Sequence, residues 1–253
     1  MDVHVKPEEG LEYDTGRHDR AKLGFVVLAM EQTVEDDVFA MSPPGVGVHF
    51  TRIAMSNDAT VETLAAMEPD IEQVASLLLP DAKLDTLCYT CNSGTMVIGE
   101  DKVMATLRRA SPEAQPTTVM TGVWRALKAL GAKRISVATP YAGQVNDFVR
   151  SFLEGHGFEI VSFKAMEIVQ NSEIDRVTPA SIRDFASAAD HADADALFVC
   201  CGALRALDVV DELEKRAAKP VVASNQAMMW DCLRLAGIDD VLTGYGRLLT
   251  LPG

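Results

Sequence analysis

An α/β fold built around largely parallel sheet is predicted by three observations. Short apolar runs alternate with amphipathic stretches, the runs have the length of strands, and one half of the chain echoes the other. "LGFVVLA" (23–29) opens the series as a strand, and "GVGVHFTRIAM" (45–55) reads as the next. A helical pattern, "VETLAAMEPDIEQVASLLL" (61–79), leads to the strand "LDTLCYT" (84–90). The helix "VWRALKALG" (123–131) then precedes the strand "RISVATP" (134–140), and "QVNDFVRSFLEGHG" (144–157) precedes "FEIVSFKAM" (158–166). "DALFVCC" (195–201), the helical "LDVVDELEKRAA" (207–218) and "PVVAS" (220–224) complete the alternation. In such sheets ligands sit beyond the carboxyl ends of the strands.

The echo is a shift of 110 places, which lays "DAKLDTLCYTC" (81–91) over "HADADALFVCC" (191–201) and matches Ala82 with Ala192, Asp85 with Asp195, Leu87 with Leu197 and Cys91 with Cys201. The same shift lays "LGFVVLAME" (23–31) over "KRISVATPY" (133–141). Two α/β halves, built alike and facing each other, are therefore expected. The predicted organisation is an N-terminal arm over 1–21, which is charged and without apolar period, a first subdomain of 22–115 plus 225–253, and a second of 116–224.

Composition narrows the function. The chain has 253 residues, 48% of them hydrophobic and 24% charged, which is ordinary globular usage. No apolar run reaches the roughly 18–20 residues of a membrane span. A formal charge of −14, with basic residues only in isolated pairs, argues against a nucleic-acid surface. Five cysteines, an odd and sparse set, and the lack of a basic-then-apolar leader argue against a secreted disulfide scaffold. Reduced thiols in a cytoplasmic protein are expected, and the arm suits a strap across a neighbouring subunit in a homo-oligomer, dimer or tetramer.

Under the repeat, Cys91 and Cys201 each end a strand just before a turn and a helix. Halves facing each other would bring these thiols to a cleft from opposite sides, where one takes a proton from one face of a carbon and the other returns one. "NSG" after Cys91 offers backbone N–H groups and a hydroxyl, at Asn92 and Ser93, suited to a thiolate or to a substrate carboxylate. "GAL" after Cys201 supplies a similar turn at Gly202 and Ala203. Cys88, Cys200 and Cys232 read as core residues. Tyr89 and Thr90 continue the strand pattern, so Cys88 and Cys91 point to opposite faces, unlike a redox C-x-x-C. His4, His18, His49, His156 and His191 show no metal-ligand spacing to the cysteines, and no phosphate loop or G-x-S-x-G elbow occurs. By elimination the chemical site is a thiol pair without metal or cofactor.

"YTCNSGTMVIG", "ALFVCCGALRALDVVDELE" and "KPVVASNQAMMWDCLRLAG" resemble the aspartate/glutamate racemase superfamily, in its maleate cis-trans isomerase and arylmalonate decarboxylase branch, with a likeness to the ectoine-utilisation subgroup. The resemblance implies two flavodoxin-like subdomains with parallel sheets, an active site in the cleft between them, and no cofactor. It makes Cys91 and Cys201 the family cysteines. Tyr141, in "TPY", and Asn171, in "VQNSEI", match the family's substrate-binding tyrosine and asparagine. Two departures bear on substrate: Glu31 stands in "LAMEQT" where maleate isomerases carry an asparagine, and Gly202 follows the second cysteine where threonine is usual.

The leading expectation is an isomerase or racemase of a small carboxylate, of the diaminobutyrate type found in ectoine breakdown, with Glu31 facing a cationic group. Glu31 has a second reading, as a cap on a helix beginning near Thr33. The alternatives are maleate cis-trans isomerisation, decarboxylation of disubstituted malonates, and a metabolite-binding protein whose "SNQA" (224–227) lines a hinge.

Overall fold

A computed structural model describes residues 11–252. Of the expected arm, residues 1–10 lie outside the described residues, 11–20 run without helix or strand, and Ala21 already begins the first strand. The first half holds β1 (Ala21–Leu28), β2 (Val46–Ile53), β3 (Thr86–Tyr89) and β4 (Gln115–Thr118), all parallel, in the order β2-β1-β3-β4. Helix α1 (Val34–Ala40) follows β1, and α2 (Val61–Ala65) and α3 (Ile71–Ala75) follow β2. After β3 come α4 (Asn92–Ile98) and α5 (Glu100–Ala110), and α6 (Val119–Ala129) leaves β4.

The second half repeats the plan with β5 (Arg134–Thr139), β6 (Glu159–Ala165), β7 (Ala196–Val199) and β8 (Val221–Ala223), in the order β6-β5-β7-β8. Helix α7 (Gln144–Gly155) follows β5, while α8 (Asn171–Ile174) and α9 (Pro179–Ala189) follow β6. Helix α10 (Val210–Ala217) precedes β8, and α11 (Ser224–Leu235) follows it. Each half thus has the doubly wound order of flavodoxin-like sheets, and the two-sheet α/β expectation holds.

Local chemistry sets the element ends. Thr118 Oγ1 accepts the Thr121 N–H at 3.0 Å to start α6, and Thr178 Oγ1 accepts the Ser181 N–H at 3.2 Å to start α9, with Pro179 in the first turn. Gly99, at φ +100°, divides α4 from α5. The single helix predicted over 61–79 is broken instead into α2, a 3-10 turn at Glu68–Asp70 and α3, because Pro69 lacks the N–H that would continue the ladder.

β4 lies in "QPTT" (115–118), which is polar and holds a proline, so the apolar pattern does not mark it as a strand. It is an edge strand, where a missing N–H is tolerated. It carries the first sheet three residues past the expected division at 115/116, to Thr118.

Strand register identifies the equivalent residues. Thr86 pairs with Leu23 and Ala196 with Ile135, so β7 follows β3 by 110 residues, whereas β5 follows β1 by 112. The single offset is therefore two residues short for the first strand pair. An error of two preserves the alternation of faces, so the shorter shift still lays strand on strand. The match of Asp85 with Asp195 has a structural cause: Asp85 Oδ2 accepts the Lys22 N–H at 2.8 Å, and Asp195 Oδ2 accepts the N–H groups of Lys133 at 2.9 Å and Arg134 at 2.8 Å.

The halves meet along α6 and α11. Helix α11 is buried on every side from Ser224 to Leu233, and Gly122 of α6 lies against the backbone of Ala227 and Met228. Among the described residues no helix is long and apolar enough to cross a membrane.

Candidate active site

At the carboxyl ends of β1, β3, β5 and β7 the halves enclose a small cavity of about 30 Å³. That is room for about two water molecules, so the cleft is nearly closed. Every residue expected at the site lines this one cavity: Cys91 and Cys201, with Glu31, Asn92, Ser93, Tyr141, Asn171, Gly202 and Ala203. Leu28 and Thr90 complete the wall. A larger surface hollow of about 430 Å³, bounded by Leu78, Pro80, Lys83, Ser111 and Glu113, lies at the opposite ends of β3 and β4 and is lined by neither thiol nor imidazole among the described residues.

Cys91 ends the loop after β3 and caps α4, its Sγ accepting the Gly94 N–H at 3.2 Å with Ser93 Oγ 3.7 Å away. Gly94 is required by space: a Cβ there would stand 2.7 Å from the Tyr89 hydroxyl and 3.0 Å from Cys91 Sγ. Burial pushes the Cys91 thiol up, the Gly94 N–H and the hydroxyls of Ser93 and Tyr89 pull it down, and the negative charge of Glu31 raises it further.

Cys201 follows β7 in a left-handed conformation, φ +96°, which L-residues rarely adopt and which clusters at functional sites. Burial pushes its thiol up to about 12, against the Tyr141 hydroxyl and the Ala203 N–H, and the charges of Cys91 and Glu31 add to the rise. An ionised Cys91 thus disfavours an ionised Cys201. The cavity suits one thiolate facing one thiol, the arrangement for moving a proton between two faces.

Each cysteine has a tyrosine. Tyr141 serves Cys201, and Tyr89, fully buried, serves Cys91. Burial and the neighbouring thiols hold both hydroxyls well above the usual phenol range, so both remain donors. In the sequence Tyr89 reads as strand continuation, and its placement two residues before the cysteine is the one signal that marks it. Cys88 faces away, toward Cys232, and all five cysteines are free. Cys200 is fully buried and does not line the cavity.

Asn92 joins the halves. Its Oδ1 accepts the Gly202 N–H at 3.1 Å, and its Nδ2 donates to Ser224 Oγ at 2.9 Å. Asn171 spans them at the rim, Nδ2 donating to the Asn57 carbonyl at 3.1 Å, while Ser172 N–H donates to Asn57 Oδ1 at 3.0 Å. Asp58 and Gln170 form an antiparallel bridge beside these contacts, so one loop from each half closes that side of the cavity.

Glu31 stands both at the cavity and at a helix start. Its carboxylate lines the cavity and also caps α1, accepting the N–H groups of Thr33 at 2.8 Å and Val34 at 2.7 Å. Burial pushes it up to about 7 against those two donors, with Asp175 and Asp37 adding negative charge. Among the described residues no Lys, Arg or His lines the cavity. Because ionised Glu31 raises both thiols, Glu31→Gln is expected to move the midpoint of thiol alkylation to lower pH. Iodoacetamide labelling of Cys91 and Cys201 across pH 7–11, read by peptide mass spectrometry, measures this; an unmoved or higher midpoint contradicts the electrostatic role.

Fold and site together define a class: two-lobed α/β proteins that present a cysteine from each lobe to a closed cleft. Within that class the chain belongs to the arylmalonate decarboxylase family, whose model matches residues 99–249. It is 29% identical over 240 residues to the maleate isomerase of Nocardia farcinica, covering 90% of this chain and 95% of that one. It is 36% identical over 135 residues to the arylmalonate decarboxylase of Bordetella bronchiseptica, covering 52% and 56%. A cysteine variant of the N. farcinica maleate cis-trans isomerase, solved with a covalently bound succinylcysteine intermediate, superposes with a TM-score of 0.84 at 26% identity over 91% of this chain and 98% of that one.

Proposed function

We propose that the protein is a cofactor-independent isomerase of a small carboxylate, acting through Cys91 and Cys201 as a thiolate and thiol pair. The observation that carries this reading is the placement of both cysteines, one from each half, in the wall of a single small cavity. Similarity to maleate isomerases over nearly the whole chain supports it. The free cysteines suit a reducing cytoplasm, and we place the protein there as a homo-oligomer.

Two versions of the chemistry fit the pair. In the cis-trans version the Cys91 thiolate adds to one alkene carbon while the Cys201 thiol gives its proton to the other. The new single bond rotates, Cys201 takes the proton back, and the C–S bond breaks to release the trans diacid. The saturated cysteine adduct of the N. farcinica relative supports this version. In the racemase version one thiolate removes the proton beside a carboxylate and the opposite thiol protonates the other face, leaving the pair with its protonation reversed.

Glu31 favours the second version with an amino-acid substrate. An ionised glutamate about 4 Å from a substrate carboxylate costs about 4 kcal/mol at an effective dielectric near 20, whereas an ammonium there gains a comparable amount. We further propose a diaminobutyrate-type substrate, which carries the ammonium group that suits Glu31. The test is turnover of maleate and of 2,4-diaminobutyrate and its acetylated forms in deuterium oxide. The expected result is inversion of an amino acid with deuterium entering beside the carboxylate, and a shift of preference toward maleate of at least tenfold in Glu31→Asn. Efficient conversion of maleate alone by the parent protein defeats the amino-acid reading and leaves cis-trans isomerisation. Carbon dioxide released from a disubstituted malonate, with no isomerisation, selects the decarboxylase.

A further inference from the structure

Cys201 is held in its unfavourable conformation by contacts to the two residues after it, and these contacts lead away from the cavity into the other half. Cys201 N–H donates to Ser224 Oγ at 2.9 Å, and Gly202 N–H to Asn92 Oδ1 at 3.1 Å. The Ala203 carbonyl accepts the Thr33 hydroxyl at 3.1 Å. The Gly202 carbonyl accepts Asn225 Nδ2 at 2.7 Å, and that same nitrogen donates to Asp37 Oδ2 at 2.8 Å. Thr33 and Asp37 stand one turn apart at the start of α1, so this end of the first half holds the cysteine turn of the second directly through Thr33 and, by way of Asn225, through Asp37.

Asn225 bears a cost for its part. It is 3% exposed, and its Oδ1 has no hydrogen-bond partner among the described residues. A flipped carboxamide would set its oxygen against two acceptors, so the orientation is fixed by the two bonds from Nδ2. An uncompensated buried oxygen is retained where the bonds it permits are needed. Position 202 answers to the same group, since a Cβ there would stand 2.7 Å from Asn225 Oδ1. The glycine after the second cysteine and the asparagine of α11 are thus one fitted pair. Neither Asn225 nor Asp37 lines the cavity.

We propose that Asn225 and Asp37 are positioning residues for Cys201: Asn225 fixes the Gly202 carbonyl and hence the direction of the thiol, and Asp37 fixes the Asn225 carboxamide from across the cleft. Aim of the second thiol is thereby tied to closure of the two halves. This rests on the assignment of Cys201 as a reacting group, and the experiment separates the two.

The primary readout is iodoacetamide labelling of Cys201 relative to Cys91 at pH 9 in the full chain, which needs no substrate. In Asn225→Ala the turn loses its hold, Cys201 leaves the Tyr141 hydroxyl and the Ala203 N–H that favour its thiolate, and the Cys201 to Cys91 labelling ratio is expected to fall at least fivefold. With whichever substrate the turnover test selects, kcat is expected to fall about a hundredfold with KM within threefold of the parent, as for a misaimed group rather than a lost binding contact. Asp37→Asn, which keeps an acceptor oxygen, should retain the ratio within twofold, whereas Asp37→Ala should lower it; this pair decides the matter if Asn225→Ala does not fold. An unchanged ratio in Asn225→Ala, or equal effects of Asp37→Asn and Asp37→Ala in folded protein, overturns the proposal. A changed ratio with unchanged kcat upholds the positioning and removes Cys201 from the reaction instead.

Discussion

Cys91→Ser and Cys201→Ser are each expected to lower kcat at least a thousandfold. The cavity already disfavours charge: burial raises both thiols, and Cys201 is carried to about 12. A serine hydroxyl starts several units higher still, so the same tyrosine, N–H and hydroxyl donors no longer suffice to hold an anion. A thousandfold loss corresponds to about 4 kcal/mol of transition-state stabilisation. The double substitution should cost little beyond either single one, because a thiolate without its partner thiol cannot complete the transfer. Cys88→Ala and Cys200→Ala, which alter residues outside the cavity wall, are expected to keep activity within about fivefold. Steady-state kinetics of the four single variants, with circular dichroism to verify folding, is the measurement. If Cys200 is required and Cys201 is dispensable, the proton pair has been placed on the wrong thiol.

The second large effect is on stability, and its sign is diagnostic. In an open helix Gly→Ala gains about 1 kcal/mol from reduced backbone freedom. At Gly122 the added Cβ would lie 2.8 Å from the Ala227 carbonyl oxygen and 3.1 Å from Met228 Cα, and backbone atoms of a buried helix cannot swing aside. Overpacking of this kind costs about 1–3 kcal/mol, so Gly122→Ala is expected to destabilise by up to about 2 kcal/mol net and Gly122→Val by more. The urea midpoint should fall in the order parent, alanine, valine. A higher midpoint for Gly122→Ala would show that α6 and α11 have room to separate at their crossing. Because α11 begins with Ser224 and Asn225, a shift of that helix would also disturb the Cys201 turn.

Much of the site was readable in the sequence because a strand followed by a small-residue turn fixes where a side chain emerges. Cys91, Asn92 and Ser93 at the end of β3, and Cys201, Gly202 and Ala203 at the end of β7, face one cavity for that reason. What stayed hidden depends on partners far along the chain. Asn225 meets Asp37 from 188 residues away, and no local pattern marks either. β4 reads as a polar loop until Asp231, on α11, accepts the Thr117 hydroxyl at 2.5 Å. Helix α11 itself has no polar face and so lacks the period by which surface helices are recognised. Glu31 was legible twice over, as a cap and as a cavity wall, and only the folded chain shows one carboxylate in both positions.

Asn92 and Gly202 are the residues immediately after the two equivalent cysteines, and they bond to each other. One offers a side-chain oxygen, the other a bare peptide N–H. Two copies of a single lobe, assembled as a symmetric homodimer, would carry the same residue in both places. With asparagine at both, the second carboxamide would enter the space beside Gly202 that Asn225 already fills; with glycine at both, the oxygen linking the lobes would be gone. Covalent fusion of the lobes into one polypeptide removes that constraint. It lets the two ends of the cleft specialise, so that an architecture of near-twofold symmetry can tell one end of its substrate from the other.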